Sequence, residues 1–402
     1  MASIAEDGVA GPVENAAGNR PTAPIGVSGP QRWLGFAKEA FADNPVSAPV
    51  LLAKALYARL KVDIEPEVFI QKGLDKRPFR SVPDTVRYWN KLHLALQRVN
   101  WAADGGRVVQ DKLATAERYQ QRGIGFAPVV AVVGRDPVQF PHETLFPAPN
   151  TLSELVNVLD GAPDHLICKP AAGSRGGGVF AASRTAHGWS IEREELSRAA
   201  LAERMLAMAG PDGLLVQPRL QSHPALSSIG GEFGLCSVRI NTALLRTGPT
   251  IFFHFLKLMG RPGLVDNFSG GKHGNLLAAI DRDTGCITAA YCRMPGQRYL
   301  LTEVTHHPAT GMPVKGTEVP MWKEAVELAL RAAEATPECP LPGADIALTA
   351  DGPKILEINS AWDSDYAELT EQKGIKPMLR EVWPDLLADE QAKVDAAKIL
   401  QL

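Results

Sequence analysis

Gly343-Ala-Asp-Ile-Ala-Leu-Thr-Ala-Asp-Gly-Pro-Lys-Ile-Leu-Glu-Ile-Asn-Ser360 consists of two alternating runs joined at Asp351-Gly352-Pro353, the pattern of a β-hairpin. With a three-residue loop, position 350 faces 354, Ile346 faces Ile358 and Leu348 faces Leu356, which makes one face apolar. The other face then carries Asp345 opposite Asn359, with Glu357 beside it. A two-residue loop would set Asp345 against Ile358 and mix the faces, so the odd register is expected. Two carboxylates and an amide are hard oxygen ligands that suit Mg²⁺ shared with nucleotide phosphates, and nothing in the set prefers zinc. A merely solvated face would account for Asp345. It accounts less well for Glu357-Ile-Asn359, because Asn is a poor strand residue and Ile355 is expected on the same face.

Upstream, Leu166-Ile-Cys-Lys-Pro-Ala-Ala-Gly-Ser-Arg-Gly-Gly-Gly-Val-Phe180 reads as a strand, a Lys-Pro exit, a small-residue loop and a second strand. Glycine-rich backbone lets amide N–H groups approach phosphate oxygens closely, so Gly173, Ser174, Arg175, Gly176, Gly177 and Gly178 are candidate phosphate-flap residues. A Walker loop or a dinucleotide fingerprint opens a helix, whereas Val179-Phe-Ala-Ala182 reads as strand. Lys169, on the strand entering the loop, is placed to meet an α- or β-phosphate. Lys112 sits in the first turn of a helix that opens on a capping Asp111 and ends at Gly123.

The whole chain sets bounds on these readings. It has 402 residues, 45% hydrophobic and 22% charged, a globular composition large enough for more than one core. Lys plus Arg number 42 against 45 for Asp plus Glu, a net charge of −3, so no basic field exists to hold nucleic acid. The 5 cysteines are odd in number and lack Cys-x-x-Cys spacing, which argues against a disulfide framework or a structural zinc site. No apolar stretch is long enough to insert in a membrane, and the N-terminus carries acids where a signal peptide carries Lys or Arg. A cytoplasmic protein is expected.

Residues 1–30 read as a disordered tail, 31–105 as a helical region, 106–220 as a small lobe, 221–380 as a large lobe and 381–402 as a C-terminal helix. Strands are expected over residues 129–133, 165–169, 178–182, 214–217, 237–245, 250–259 and 276–281, with helices over 152–159, 192–209 and 322–335. The hairpin-like neighbours among them indicate α+β lobes rather than a doubly wound sheet.

Lys112, Lys169 with its glycine loop, Leu215-Val-Gln-Pro-Arg-Leu220 and Glu357-Ile-Asn359 follow one another in the order and rough spacing of the ATP-grasp superfamily, which the chain resembles. More narrowly, Asp111-Lys112, Val238-Arg239, Val265-Asp-Asn-Phe-Ser-Gly-Gly271, His307-Pro-Ala-Thr-Gly311 and Gly343-Ala-Asp-Ile346 resemble the sugar-transfer-associated ATP-grasp family, related to α-L-glutamate ligases. The resemblance covers roughly residues 105–375. It implies an ATP-grasp fold, two α+β lobes clamping ATP, with Lys112 and Lys169 on the phosphates. It implies backbone contacts to adenine from Gln217, Arg219 and Leu220, with Gln221 or His223 near the ribose, although Pro218 removes one donor. It also implies Arg239 and Lys257 facing the γ-phosphate, and Mg²⁺ held by Asp345, Glu357 and Asn359. The second small-residue loop, residues 266–274, adds Asn267 and Lys272 as candidates near the transferred phosphate.

The activity implied is an ATP-dependent ligase joining a small-molecule carboxylate, a sugar acid or an amino acid, to an amine through an acyl phosphate. A phosphotransferase on the same scaffold and a nucleotide-binding module without chemistry are the alternatives. Arg293 or Arg298 facing the metal would favour the ligase as a carboxylate clamp. His306 and His307 read as a loop pair without a third ligand. The substrates are open, and residues 89–101 are a core or, in an oligomer, a subunit interface.

Overall fold

The computed structural model describes residues 29–86, 91–102, 109–136, 144–172, 177–230 and 233–402. Residues 1–28, Trp89 and the flap residues Gly173, Ser174, Arg175 and Gly176 lie outside them.

Helices α1 (Gly29–Asp43), α2 (Ala48–Val62), α3 (Pro66–Gln71) and α4 (His93–Asn100) form the N-terminal region. Phe36, Phe69, Ile70, Leu92 and Leu96 are buried in one core with Phe253 and Phe255 of a large sheet. The apolar pattern of α2 does not all face this core: Ala55 and Ala58 are buried, while Val50, Leu56 and Leu60 are exposed.

Next come α5 (Lys112–Gln121), β1 (Ala131–Val133), α6 (Leu152–Asp160), β2 (His165–Pro170), β3 (Phe180–Thr185), β4 (Gly188–Ile191) and β5 (Glu194–Leu196). Helix α7 (Arg198–Met208) and β6 (Leu214–Pro218) complete a six-stranded sheet in the order β1-β6-β2-β3-β4-β5. The helix expected from 192 starts only at Arg198, because Ser197 caps it by accepting from the amide of Ala200. Residues 194–196 instead pair with β4. Composition alone favoured helix there, since the segment is rich in Glu, Ala and Leu, and the cross-strand partner overrode it.

After α8 (Pro224–Gly230) come β7 (Ser237–Leu245), β8 (Gly248–Leu258), β9 (Leu276–Ile280), β10 (Ile287–Cys292) and β11 (Thr302–Glu303). They are followed by α9 (Trp322–Ala335), β12 (Gly343–Thr349), β13 (Gly352–Asn359), α10 (Asp365–Glu371), α11 (Ile375–Val382) and α12 (Glu390–Leu400). The large sheet runs β11-β10-β9-β8-β7-β12-β13. Neighbouring strands in both sheets pair antiparallel, so the lobes are α+β, as expected. One face of the large sheet packs on α9 through Val238, Ile240, Leu256, Ile346 and Leu328. The opposite face meets the N-terminal helices.

The register of the β12–β13 hairpin differs from the expected one. The turn is the pair Ala350-Asp351, so Leu348 faces Pro353 and Ile346 faces Ile355. A bulge at Leu356 then shifts the ladder, setting Asp345 opposite Glu357 and Gly343 opposite Asn359. The extra residue inverts the alternation, so Ile355 and Ile358 enter the same core beside α9. Ile355 therefore leaves the polar face. The 5 cysteines are free, and no helix among the described residues is long and apolar enough to cross a membrane.

Candidate active site

Alternation along β7 sends Ser237, Arg239 and Asn241 to the face opposite α9, and strand pairing brings four strands into register behind them. Asp345 lies between Arg239 on β7 and Glu357 on β13, and Lys257 on β8 pairs with Ser237. The Arg239 guanidinium donates to both Asp345 oxygens, Nε to Oδ1 at 2.6 Å and Nη2 to Oδ2 at 2.7 Å. Lys257 Nζ lies 3.1 Å from Asp345 Oδ1 and 3.1 Å from Asp266 Oδ1, and the Ser237 hydroxyl donates to Asp266.

Burial by itself would raise the Asp345 carboxyl, but Arg239 and then Lys257 outweigh it and hold the group well below the usual carboxylate range. For Arg239 and Lys257 burial works against the charge, and the neighbouring carboxylates more than restore it, so both pKa values are raised. Asp266 goes up, because burial outweighs the nearby ammonium. Among the described residues Glu357 has one hydrogen bond, from Asn359 Nδ2 at 3.4 Å, and no ion pair.

The small lobe supplies two more cations. Lys169, on β2, crosses to the large lobe and donates from Nζ to the carbonyl of the bulge residue Leu356 at 3.1 Å. Burial pushes its pKa down to about 8, with Lys112 adding to the fall and Glu357 and Asp345 opposing it. Lys112 is buried at the start of α5. Burial lowers its pKa too, against Glu357 and Asp111. Its position is fixed locally: Asp111 accepts from the amides of Leu113 and Ala114, a cap typically worth ~1 kcal/mol. The Lys112 amide donates to Ala171 O at 3.0 Å, at the exit of β2. Gly177 and Gly178 form the turn into β3. A side chain at Gly178 would need a left-handed φ of 72° and would stand 3.0 Å from Pro170 Cγ.

The expected adenine strand is partly committed. Gln217 is buried and donates from Nε2 to Ala127 O at 2.9 Å, and the Arg219 amide donates to His165 O at 2.8 Å. Pro218 has no N–H, which leaves the Leu220 amide as the candidate donor. His223 caps α8: its Nδ1 accepts from Ala225 N, while its own amide donates to Leu348 O at 2.6 Å and ties the hinge to β12. Asn267 is exposed, with its carbonyl accepting from Asn275 Nδ2, and Lys272 is exposed. Arg298 is exposed and lies over the Tyr299 ring, and Arg293 stands beside Gly270 and Gly271 with Glu39 and Glu67 as its charged neighbours. Both arginines thus have acids of the N-terminal helices as charged neighbours. His307 donates from Nε2 to Met259 O, 3.0 Å away, as a structural group.

Asp266, Ser237 and Asn241 were absent from the sequence-derived set. Alternation from Arg239 pointed to the two on β7, and Asp266 directly precedes the chosen Asn267. Asn241 is fully buried, neither atom of its amide has a partner among the described residues, and it packs against Gly343, where a Cβ would come within 2.8 Å of its Nδ2.

Among the described residues no three His, Cys, Asp or Glu side chains gather as a metal cluster. Glu357, the amide oxygen of Asn359 and Asp345 nevertheless form a hard, all-oxygen set suited to Mg²⁺ that also takes phosphate oxygens. Around it stand the cations Arg239, Lys257, Lys112 and Lys169 against the carboxylates Asp266, Asp345 and Glu357.

Residues 97–383 match the family model described as sugar-transfer associated ATP-grasp. Solved structures similar to this chain include D-alanine–D-alanine ligase from Bacillus anthracis, at 9% identity over 73% of this chain and 70% of that one, with a TM-score of 0.36. Biotin carboxylase from Campylobacter jejuni matches at 11% identity over 71% of this chain and 48% of its own, with a TM-score of 0.38. D-cycloserine synthetase DcsG matches at 13% identity over 85% of each chain, with a TM-score of 0.36. None of the curated proteins matches the chain.

Proposed function

The chain belongs to the sugar-transfer associated ATP-grasp family, and from that premise we propose that it is an ATP-dependent carboxylate–amine ligase acting through an acyl phosphate. Its carboxylate substrate is proposed to be a sugar acid or an amino acid used in glycan or small-molecule biosynthesis. The observation that carries the reading is the charged row on the large sheet, where Arg239 and Lys257 converge on Asp345, met from the six-stranded sheet by Lys169 at the Leu356 carbonyl.

In this reading Lys112 and Lys169 hold the phosphates of ATP, and the Gly173–Gly178 flap covers them. Arg239 and Lys257 lie across the γ-phosphate and offset its charge as it moves. A substrate carboxylate oxygen bonds to the γ-phosphorus while the bond from that phosphorus to the β-bridging oxygen breaks, and ADP leaves. The amine nitrogen then bonds to the acyl carbon, inorganic phosphate departs, and the nitrogen loses a proton. Positioning and electrostatics do the work, and no protein nucleophile is needed. Asp345, Glu357 and Asn359 would hold Mg²⁺, which when bound supplies charge neutralisation at the phosphates.

Incubation of the full chain with ATP, Mg²⁺, hydroxylamine and a panel of uronic and amino acids tests this. ADP together with a hydroxamate is the expected result. ADP with a stable phosphate ester and no hydroxamate would identify a phosphotransferase and overturn the ligase reading.

A further inference from the structure

The N-terminal helices reach the base of the β12–β13 hairpin through a buried side-chain amide. Asn100, the last residue of α4, is fully buried and spends its amide on both flanks of the hairpin. Its Oδ1 accepts from Leu341 N at 2.9 Å, and its Nδ2 donates to Leu341 O at 2.9 Å and to Ser360 O at 2.7 Å. These contacts sit just beyond the last ladder pair, Gly343 with Asn359. Pro342 has no N–H to extend that ladder, so the side-chain amide spans the two chains where backbone pairing stops.

The loop after Asn359 is held from the same side at its far end. Trp101 Nε1 donates to Ser360 Oγ at 3.2 Å, and Lys72 Nζ donates to Ser364 Oγ at 2.7 Å while lying 3.1 Å from Asp365. Residues 360–365 are thus pinned at both ends by the N-terminal region. At the adjoining end of the hairpin, Asn359 Nδ2 reaches Gly343 O and Glu357 Oε1, each at 3.4 Å, so these contacts follow the spacing of the two strands.

We propose that Asn100 is a positioning residue for the metal pair Glu357 and Asn359, and that the N-terminal helices serve the site by setting the strand spacing at its edge. The inference rests on the ligase reading only through its need for Mg²⁺ and a nucleotide. Groups that orient metal ligands typically change metal affinity 10–100-fold when removed. Asn100→Asp keeps the size and one acceptor but turns the donor toward two carbonyls into an oxygen, so it should open that end of the ribbon.

The test is fluorescence titration of the full chain with methylanthraniloyl-ATP, first in EDTA and then with rising Mg²⁺, alongside thermal unfolding. For Asn100→Asp the half-saturating Mg²⁺ should rise by about tenfold or more, with the metal-free nucleotide affinity unchanged. An unchanged Mg²⁺ midpoint in a folded Asn100→Asp would overturn the inference, because a purely structural role lowers only the melting temperature. If Asn100→Asp does not fold, Trp101→Phe decides: a rise of a few-fold supports the inference, and no rise overturns it. A parent chain that fails to bind the nucleotide at all removes the ligase reading first and the inference with it, whereas parent binding with an unmoved variant removes the inference alone.

Discussion

Two clusters of buried charge in this molecule use the same residue types and behave differently. Between α3 and α10, Lys72 lies 3.1 Å from Asp365 and 3.3 Å from Glu368, and Arg77 lies 3.5 Å from Glu368, all with side chains at most 4% exposed. On the large sheet, Arg239, Lys257, Asp345 and Asp266 form a comparable network, but Arg239 keeps 16% of its side chain open and Asp266 13%. In the sealed cluster burial pushes the Asp365 carboxyl up to about 8 in spite of Lys72, whereas in the open one Arg239 and Lys257 hold Asp345 well below the usual carboxylate range. The open cluster is also joined by Lys112 and Lys169. Buried ion pairs add little net stability but are costly to break, so their presence does not mark a site. Cations brought together from two sheets, next to the hard oxygen ligands Asp345, Glu357 and Asn359, are what a triphosphate with its metal would recognise.

The largest effect should come from Glu357→Gln, which replaces a charged metal ligand by a neutral amide at a carboxylate that makes no salt bridge among the described residues. Turnover should fall by about a hundredfold or more, while the urea midpoint stays put. Glu368→Gln in the sealed cluster should do the reverse. It leaves Lys72 and Arg77 underpaired in a dry interior, so urea unfolding should show a loss of about 3–5 kcal/mol, with activity per folded molecule retained. If both variants lost activity equally and stability equally, the two clusters would not differ as described.

A smaller, pH-dependent effect should come from Lys169. Its pKa of about 8 lies below that of a free lysine, so below pH 8 it is charged and phosphate affinity should be flat. Above pH 8 the free protein loses that proton, and nucleotide affinity should fall by about tenfold per pH unit until the complex also titrates. Stability moves the other way. Between pH 8 and the normal lysine range the unfolded chain binds more protons than the folded one at this position, so unfolding free energy should rise with pH. Lys169→Arg should abolish the affinity slope, and a slope that persists in the variant would assign it to another group. The smallest effect belongs to Arg204→Ala. Its partner Glu194 is on the surface, and neither the urea midpoint nor turnover should change measurably.

Much of this was legible in the sequence, and what was missed has physical causes. The hairpin was visible from period-two alternation, and the shared face of Asp345, Glu357 and Asn359 survived. The register did not, because alternation presumes an unbroken ladder and the bulge at Leu356 adds a residue that no local pattern announces. Lys112 and its capping Asp111 could be placed because a helix start is encoded within four residues. The clamp by Asn100 could not, since its partners Leu341 and Ser360 are 241 and 260 residues away along the chain. Which way Arg293 faces was open in the sequence, because its charged neighbours Glu39 and Glu67 come from the N-terminal helices, a matter of tertiary packing.

The central claim is that the charged row of the large sheet and the two small-lobe lysines share one nucleotide. Anomalous scattering from a crystal grown with a non-hydrolysable ATP analogue and Mn²⁺ tests it most directly. The predicted result is a manganese peak bound by Asp345, Glu357 and Asn359, with the phosphates reaching Lys112 and Lys169. A well-ordered nucleotide whose metal lies away from Glu357, or whose phosphates touch neither lysine, would contradict it.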